Sequence, residues 1–140
     1  MTVVLICCNL VSLTVLISEI IDKRMAIIRI KNLLIPTIIG FNPEERKNHQ
    51  DVRINMKIEV DVSGALITDH QDGIYNYKTI TKLIIAFVSK SKFNLLEKLT
   101  HEVLQLVMQD GRVIRAKVEI DKPGALRFTD SVSVEMEAHR

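Results

Sequence analysis

Alternation of apolar and polar residues marks four segments of the chain and predicts four β-strands. It is clearest in residues 51–62, where every even position from Val52 to Val62 is apolar and the odd positions are polar. A less regular alternation extends over residues 26–39, 112–121 and 131–138, and Pro36 indicates a bend or an edge in the first of these. Strands with one apolar and one polar face are typical of an antiparallel sheet that has one side in water.

Between the second and third strands, the spacing of apolar residues changes to three or four and predicts two amphipathic helices. These cover residues 77–92 and 94–109. Asn94 is the predicted N-cap of the second helix, and Asp110-Gly111 is its predicted stop. Glu97 follows Asn94 by three residues and fits a capping box.

The order β-β-α-α-β-β predicts an α+β fold, in which an antiparallel sheet carries both helices on one face. Residues 40–50 and 63–76 are rich in turn-forming residues and are predicted to be loops. A four-stranded sheet leaves two open edges, which natural proteins avoid exposing. A closed ring of such sheets removes the edges, so we expect a homo-oligomer that forms a barrel.

Composition and charge exclude several classes of protein. The 140 residues are 47% apolar and 26% charged, which is typical of one globular domain. A net charge of +2 and the absence of Trp give no indication of nucleic-acid binding. Cys7 and Cys8 are adjacent and have neither disulfide nor zinc spacing, and the four histidines are scattered. We therefore expect no metal site and a cytoplasmic location.

Residues 1–24 differ from the rest of the chain because they are almost wholly apolar as far as residue 18. Three interpretations are open: an uncleaved membrane anchor, an apolar segment that packs on the domain or on a partner, or an upstream extension of the reading frame with Met25 as the natural start. The sharp change in composition at Met25 favours the third. The expected organisation is an extension over residues 1–24 and one domain over residues 25–140, with no membrane association unless the extension is an anchor.

Several polar residues lie at the ends of predicted elements, where functional side chains are common. Glu45 lies in the first long loop, Tyr75 and Tyr77 at the start of a helix, Glu97 in a first helical turn, and Lys122 at the end of the third strand. Taken singly, each also fits an ordinary structural role, such as capping or packing at the rim of the core.

Five segments together resemble the dihydroneopterin aldolase family. They are AIIRIKNL, IGFNPEERKNHQDV, YNYKTITK, NLLEKLTHEVL and VEIDKPGALRFTDSVSV, and the resemblance extends from Ala26 to the C-terminus. It implies the tunnelling fold (T-fold), in which subunits close into a barrel-like tetrameric ring and two rings stack into an octamer. It also implies active sites between neighbouring subunits.

The resemblance further implies roles for particular residues. Glu45 matches the family's loop glutamate, Tyr77 a tyrosine that reaches into the neighbouring subunit's site, and Lys122 a lysine after the third strand. The implied catalytic residues are Lys122, Tyr77 and Glu45, and the implied substrate-binding residues are Glu97, Leu96 and Gln50. Tyr75, at the start of a helix, and the cationic Arg127 are further candidates for substrate binding. Arg127, Lys78 and Arg46 are the candidates for binding a triphosphate.

The expected chemistry follows from the pterin. A carboxylate such as that of Glu97 can accept both the 2-amino group and N3–H of the ring. The N5=C6 bond accepts the electrons of retro-aldol cleavage, so no cofactor is expected. Re-addition of the aldehyde inverts C2′ of 7,8-dihydroneopterin triphosphate, whereas protonation gives 6-hydroxymethyl-7,8-dihydropterin and glycolaldehyde. The segment ALRFTDSVS favours epimerisation, Lys-Pro-Gly-Ala resembles many aldolases, and a non-catalytic pterin- or purine-binding or ring-forming protein remains an alternative.

Overall fold

A computed structural model describes residues 24–70 and 74–140 of the chain. Its four-stranded antiparallel sheet has the order β1-β2-β3-β4. The strands are β1 (Met25–Thr37), β2 (Gln50–Asp61), β3 (Val113–Pro123) and β4 (Ser131–His139). All four predicted strands are confirmed, and β3 continues two residues further than expected, so that it contains Lys122.

The two predicted amphipathic helices are α3 (Tyr77–Lys90) and α4 (Leu96–Met108). Asn76 caps α3, because its Oδ1 accepts the backbone N–H groups of Lys78 and Thr79 at 3.1 and 3.2 Å. The prediction that Asn94 caps α4 is wrong. Leu95 is the N-cap residue and makes no capping hydrogen bond with its side chain, and Glu97 is the second residue of α4, so Glu97 is not in a capping box.

Two short helices occupy segments that the sequence analysis predicted to be loops. They are α1 (Pro43–Lys47) and α2 (Ala65–Thr68). Helix α1 has a proline at its start, acidic residues in its first turn and basic residues in its last, all of which favour a helix in that direction. With five and four residues, neither is long enough to show an apolar period.

The chain divides into two compact units. In the described part of the smaller unit, residues 24–26, 61–70 and 74, the N–H of Val62 donates to the carbonyl of Arg24 at 2.8 Å. The larger unit, residues 27–60 and 75–140, contains every site residue discussed below. The predicted extension lies outside the described residues except for Arg24. No helix within residues 24–70 and 74–140 is long and apolar enough to span a membrane.

The core of the larger unit forms between one face of the sheet and the two long helices. As the sequence predicted, the even positions of β2 from Val52 to Val60 are buried and the odd positions are not. They pack with alternate residues of β3 and with buried rows on α3 and α4. The helical rows are Ile80, Ile84 and Val88 on α3, and Leu99, Val103 and Val107 on α4.

Strand β1 changes phase at Asn32, which has a left-handed φ of 54° and whose N–H donates to Asn55 Oδ1 at 2.8 Å. Because of this irregularity, Ile35 and Thr37 face the core beyond it. The Thr37 hydroxyl donates to the carbonyl of Val88 at 2.7 Å. This hydrogen bond fixes the end of β1 to the end of α3. The residues that follow β1 in the chain, from Ile39 onwards, belong to the candidate site.

Candidate active site

A lysine and a glutamate form the centre of the candidate site. Lys122 Nζ lies 2.5 Å from Glu45 Oε1, and their side chains are only 12% and 23% exposed. The other oxygen, Glu45 Oε2, accepts the backbone N–H of Asn42 at 3.0 Å. The hydrogen bond from Lys122, and after it the one from Asn42, lowers the pKa of Glu45 below its ordinary value. The carboxylate therefore stays ionised and holds the lysine in place.

Gly40 makes room for this carboxylate. A Cβ at position 40 would lie 2.1 Å from Glu45 Oε2, and the φ of Gly40 is +123°, a conformation that favours glycine. Gly40 was not among the predicted site residues. The sequence indicated its role only through the presence of a glycine directly after a predicted strand. Gln50 supports the same loop, because its Nε2 donates to the carbonyl of Ile39 at 3.2 Å and its side chain helps to lower the pKa of Glu45.

The Glu45–Lys122 pair opens into a cleft of about 270 Å³. Three stretches line it: residues 39–42 with Glu45, residues 94–97, and Lys122 with Ala125 and Val132. Leu96 and Glu97 are the first two residues of α4 and belong to the second of these stretches. Glu97 is exposed. Four of the predicted site residues thus meet in one place: Glu45, Lys122, Leu96 and Glu97.

The other predicted residues do not line this cleft. Gln50 does not line it, although its side chain contacts the Ile39 carbonyl and the Glu45 carboxylate, both of which belong to residues of the cleft. Tyr77 is the first residue of α3 and is half-exposed, and Arg127 is exposed in the loop between β3 and β4.

Tyr75 lies in a different environment from the one predicted for it. It is buried, and burial raises its pKa to about 12. It lines a separate cavity of about 330 Å³ with Ile80, Leu106 and Arg112, and its hydroxyl has no hydrogen-bond partner among the described residues. Tyr75 therefore does not line the cleft of its own chain, and its contact with a substrate stays a prediction.

Among residues 24–70 and 74–140, no three His, Cys, Asp or Glu side chains are grouped so that they could hold a metal ion. The acidic and basic groups of the cleft that can act on a bound molecule are therefore Glu45, Glu97 and Lys122. A carboxylate can accept two parallel N–H groups, and an amine can donate or accept a proton.

The chain is thus an α+β protein with an antiparallel sheet and helices, whose cleft holds a lysine–glutamate pair beside a second carboxylate. The family model for dihydroneopterin aldolase matches residues 28–137. The chain belongs to the dihydroneopterin aldolase family, and the resemblance found in its sequence is confirmed.

Relatives in this family carry two different names. Proteins of Pseudomonas aeruginosa and of Escherichia coli K12 named dihydroneopterin triphosphate 2′-epimerase are each 45% identical to this chain. The alignments cover 85% and 82% of this chain and 97% and 96% of the relatives. The dihydroneopterin aldolase of Escherichia coli K12 is 25% identical over 81% of this chain and 93% of its own length. Both names are those of enzymes.

Solved structures confirm the fold. The structure of Escherichia coli dihydroneopterin aldolase in complex with neopterin superposes with a TM-score of 0.76 at 24% identity. The superposition covers 81% of this chain and 98% of that one. The predicted T-fold architecture of antiparallel sheet and paired helices is therefore correct.

Proposed function

We propose that this chain catalyses epimerisation at C2′ of 7,8-dihydroneopterin triphosphate, giving dihydromonapterin triphosphate. The observation that supports the proposal is the cleft in which the Glu45–Lys122 pair, 2.5 Å apart, opens beside Glu97. The identity of 45% to two proteins named for this reaction, against 25% to an aldolase, favours epimerisation over cleavage.

In the proposal, Glu97 and Leu96 bind the pterin ring. The Glu97 carboxylate is exposed in the first turn of α4 and accepts the 2-amino group and N3–H through its two oxygens. The start of a helix is a favourable place for a negative charge, which suits a carboxylate at this position. Leu96 provides an apolar contact next to that carboxylate.

Lys122 transfers a proton to and from the pterin, and Glu45 holds the lysine in position for this. As a base removes the proton of the 2′-hydroxyl, the C1′–C2′ bond breaks and its electron pair forms C1′=C6. The electrons of N5=C6 move to N5, which takes a proton from Lys122. The aldehyde turns, and C1′ attacks its other face. The 2′ oxygen takes back the proton held by the base, while N5 returns its proton to Lys122. Glu45 orients the lysine, and the pterin itself accepts the electrons, so that the proposal requires no cofactor.

We further propose that Tyr77 of a neighbouring copy, together with water, moves the proton of the 2′-hydroxyl. Tyr77 is half-exposed and lies outside the cleft of its own chain, which suits a residue that serves another subunit. In the described sheet β1 and β4 are edge strands, which supports tetrameric rings that stack into an octamer. A domain over residues 25–140, a cytoplasmic location and a contact between Arg127 and the triphosphate belong to the same proposal.

The alternative function is that of dihydroneopterin aldolase, giving 6-hydroxymethyl-7,8-dihydropterin and glycolaldehyde. It is favoured by Pro123, Gly124 and Ala125, which follow Lys122 and resemble the corresponding segment of many aldolases. The two reactions share one intermediate, so a change of about 1.4 kcal/mol in the difference between their activation free energies changes the ratio of the two products tenfold.

Product analysis tests the proposal. The protein is incubated with 7,8-dihydroneopterin and, separately, with its triphosphate, and the products are separated by chromatography. We expect the triphosphate to be converted into its 2′-epimer with little cleavage. If cleavage to an aldehyde and 6-hydroxymethyl-7,8-dihydropterin dominates, the aldolase alternative is correct. If neither substrate changes, the chain is not an enzyme of this kind.

A further inference from the structure

Arg46 follows Glu45 directly and makes three hydrogen bonds to backbone carbonyls. Its Nη1 donates to the carbonyls of Gly40 at 3.3 Å and Phe93 at 3.2 Å, and its Nη2 donates to that of Lys92 at 2.9 Å. The Phe93 carbonyl also accepts the N–H of Gly40 at 3.2 Å. Arg46 therefore connects the loop after β1 to the segment between α3 and α4.

These two connected segments lead to different parts of the cleft. The loop at Gly40 lies against the Glu45 carboxylate. Phe93 directly precedes residues 94–97, which contribute Glu97 to the cleft. The distance between the Glu45–Lys122 pair and Glu97 consequently depends on how these two segments are joined.

We propose that Arg46 is a positioning residue that fixes the Glu45–Lys122 pair relative to Glu97. The catalytic meaning of this positioning rests on the proposed function, in which Glu97 holds the pterin ring while Lys122 protonates N5. A ring bound at Glu97 has its reacting atoms at a set distance from the lysine only if both sides of the cleft keep their separation.

The chemistry of the contact requires arginine. A guanidinium presents five N–H donors in a rigid planar fork, which can reach three carbonyls on two segments at once. A lysine ammonium has its donors on a single atom and cannot span the same acceptors. Within residues 24–70 and 74–140 no carboxylate lies within ion-pair distance of Arg46, so backbone oxygens are its hydrogen-bond acceptors.

The contact also changes one expectation from the sequence. Arg46 was a candidate for binding the triphosphate, but the structure directs its guanidinium to the carbonyls of Gly40, Lys92 and Phe93. Positioning and phosphate binding predict different kinetics. Loss of a phosphate contact raises KM for the triphosphate alone, whereas loss of positioning lowers kcat for the triphosphate and for 7,8-dihydroneopterin alike.

The test compares three variants of the full chain. Arg46→Met keeps the apolar stem and removes the donors, and Arg46→Lys keeps the charge without the fork. Lys47→Met removes one charge from the next residue of the same helix, whose side chain is exposed and does not line the cleft. kcat and KM are measured for both substrates, and the Glu45 carboxyl is titrated by carbon NMR.

We expect Arg46→Met to lower kcat about tenfold to a hundredfold for both substrates, as misplacement by about 1 Å does in other enzymes. Arg46 holds the loop at Gly40, and the N–H of Asn42 in that loop is one of the groups that lower the pKa of Glu45. When the loop is released in Arg46→Met, the pKa of Glu45 should therefore move part of the way back towards its ordinary value, and Arg46→Lys should restore only part of either property. Lys47→Met should leave both as they are in the wild type.

The proposal is overturned if Arg46→Met keeps the wild-type kcat, if its only effect is a higher KM for the triphosphate, or if its Glu45 titration matches the wild type. A variant that melts at a lower temperature but keeps kcat and the titration shows a purely structural role, and this also overturns it. If the wild type leaves both pterins unchanged, the proposed function is wrong, but the proposed role of Arg46 is still tested. In that case the comparison of the Glu45 titration in Arg46→Met and in the wild type decides whether Arg46 positions the Glu45–Lys122 pair.

Discussion

Replacing Gly40 with alanine would place a methyl group where the Glu45 carboxylate lies. The new Cβ would be 2.1 Å from Oε2, 2.4 Å from Cδ and 2.8 Å from Oε1 of Glu45. Because carbon and oxygen do not approach closer than about 3 Å, the carboxylate has to retreat by about 1 Å. This movement stretches the 2.5 Å contact with Lys122 Nζ beyond the range of a good hydrogen bond.

The stability and the activity should respond differently. The Glu45 side chain is flexible and can swing away, so the collision itself costs little free energy of unfolding. The φ of +123° at Gly40 adds backbone strain of about 1–3 kcal/mol once the residue has a Cβ. Loss of the oriented lysine is expected to lower kcat/KM about a hundredfold, since misplacement of a reacting group by about 1 Å has effects of this size.

The assay measures kcat/KM for the triphosphate and the free energy of unfolding in urea. Gly111→Ala is the matched control, because no atom lies within 4 Å of its new Cβ. Gly124→Ala measures strain without a collision, since Gly124 has a φ of +69° and open space around it. If Gly40→Ala keeps kcat/KM within about twofold of the wild type, the orientation of Lys122 by Glu45 is not important for the reaction.

Three further predictions concern residues around the cleft. Because the pKa of Glu45 is lowered in the fold, its ion pair should stabilise the protein above the ordinary value of 4.5, and this contribution should disappear as the pH falls through the folded-state pKa. The free energies of unfolding of the wild type and Glu45→Gln should therefore differ near neutral pH and converge in acid; a difference independent of pH contradicts this. Tyr75→Phe should keep the wild-type activity and lose no stability, because it removes a buried hydroxyl without a partner among the described residues; a large loss of kcat, measured in the same assay, would restore Tyr75 to the site. Lys122→Met and Tyr77→Phe subunits that are unfolded and refolded together should regain part of the activity that each lacks alone, and no recovery would argue against a site shared between copies.

Much of the fold could be predicted from the sequence because its long elements have regular apolar spacing. Strand β2 separates buried even positions from polar odd ones from Asp51 to its end, and α3 and α4 show apolar rows at helical spacing. Local exceptions were not predictable. Asn32 reverses the phase of β1 through its own backbone angle, and α1 is too short to show a period. At the start of α4, the extended backbone of Leu95 displaced the predicted cap by one residue.

The candidate site was accessible only in part. Glu45 and Lys122 are 77 positions apart, and no local pattern in the sequence joins them. The resemblance to a family brought them together. Tyr75 was suggested by its place at the start of a helix, and the structure puts it in a buried position next to a different cavity. The contacts of Arg46 could not be predicted, because its acceptors are backbone carbonyls that every residue possesses.

The rate of epimer formation by Lys122→Met tests whether Lys122 transfers the proton to N5 of the pterin. The matched control is Lys117→Met, which changes another lysine of β3 that pairs with Glu135 on the opposite, polar side of the sheet. We expect Lys122→Met to convert 7,8-dihydroneopterin triphosphate into its 2′-epimer at least about a hundredfold more slowly than the wild type. Lys117→Met should retain the wild-type rate, since exposed ion pairs contribute little. Epimer formation by Lys122→Met at the wild-type rate would show that Lys122 is not the group that transfers this proton.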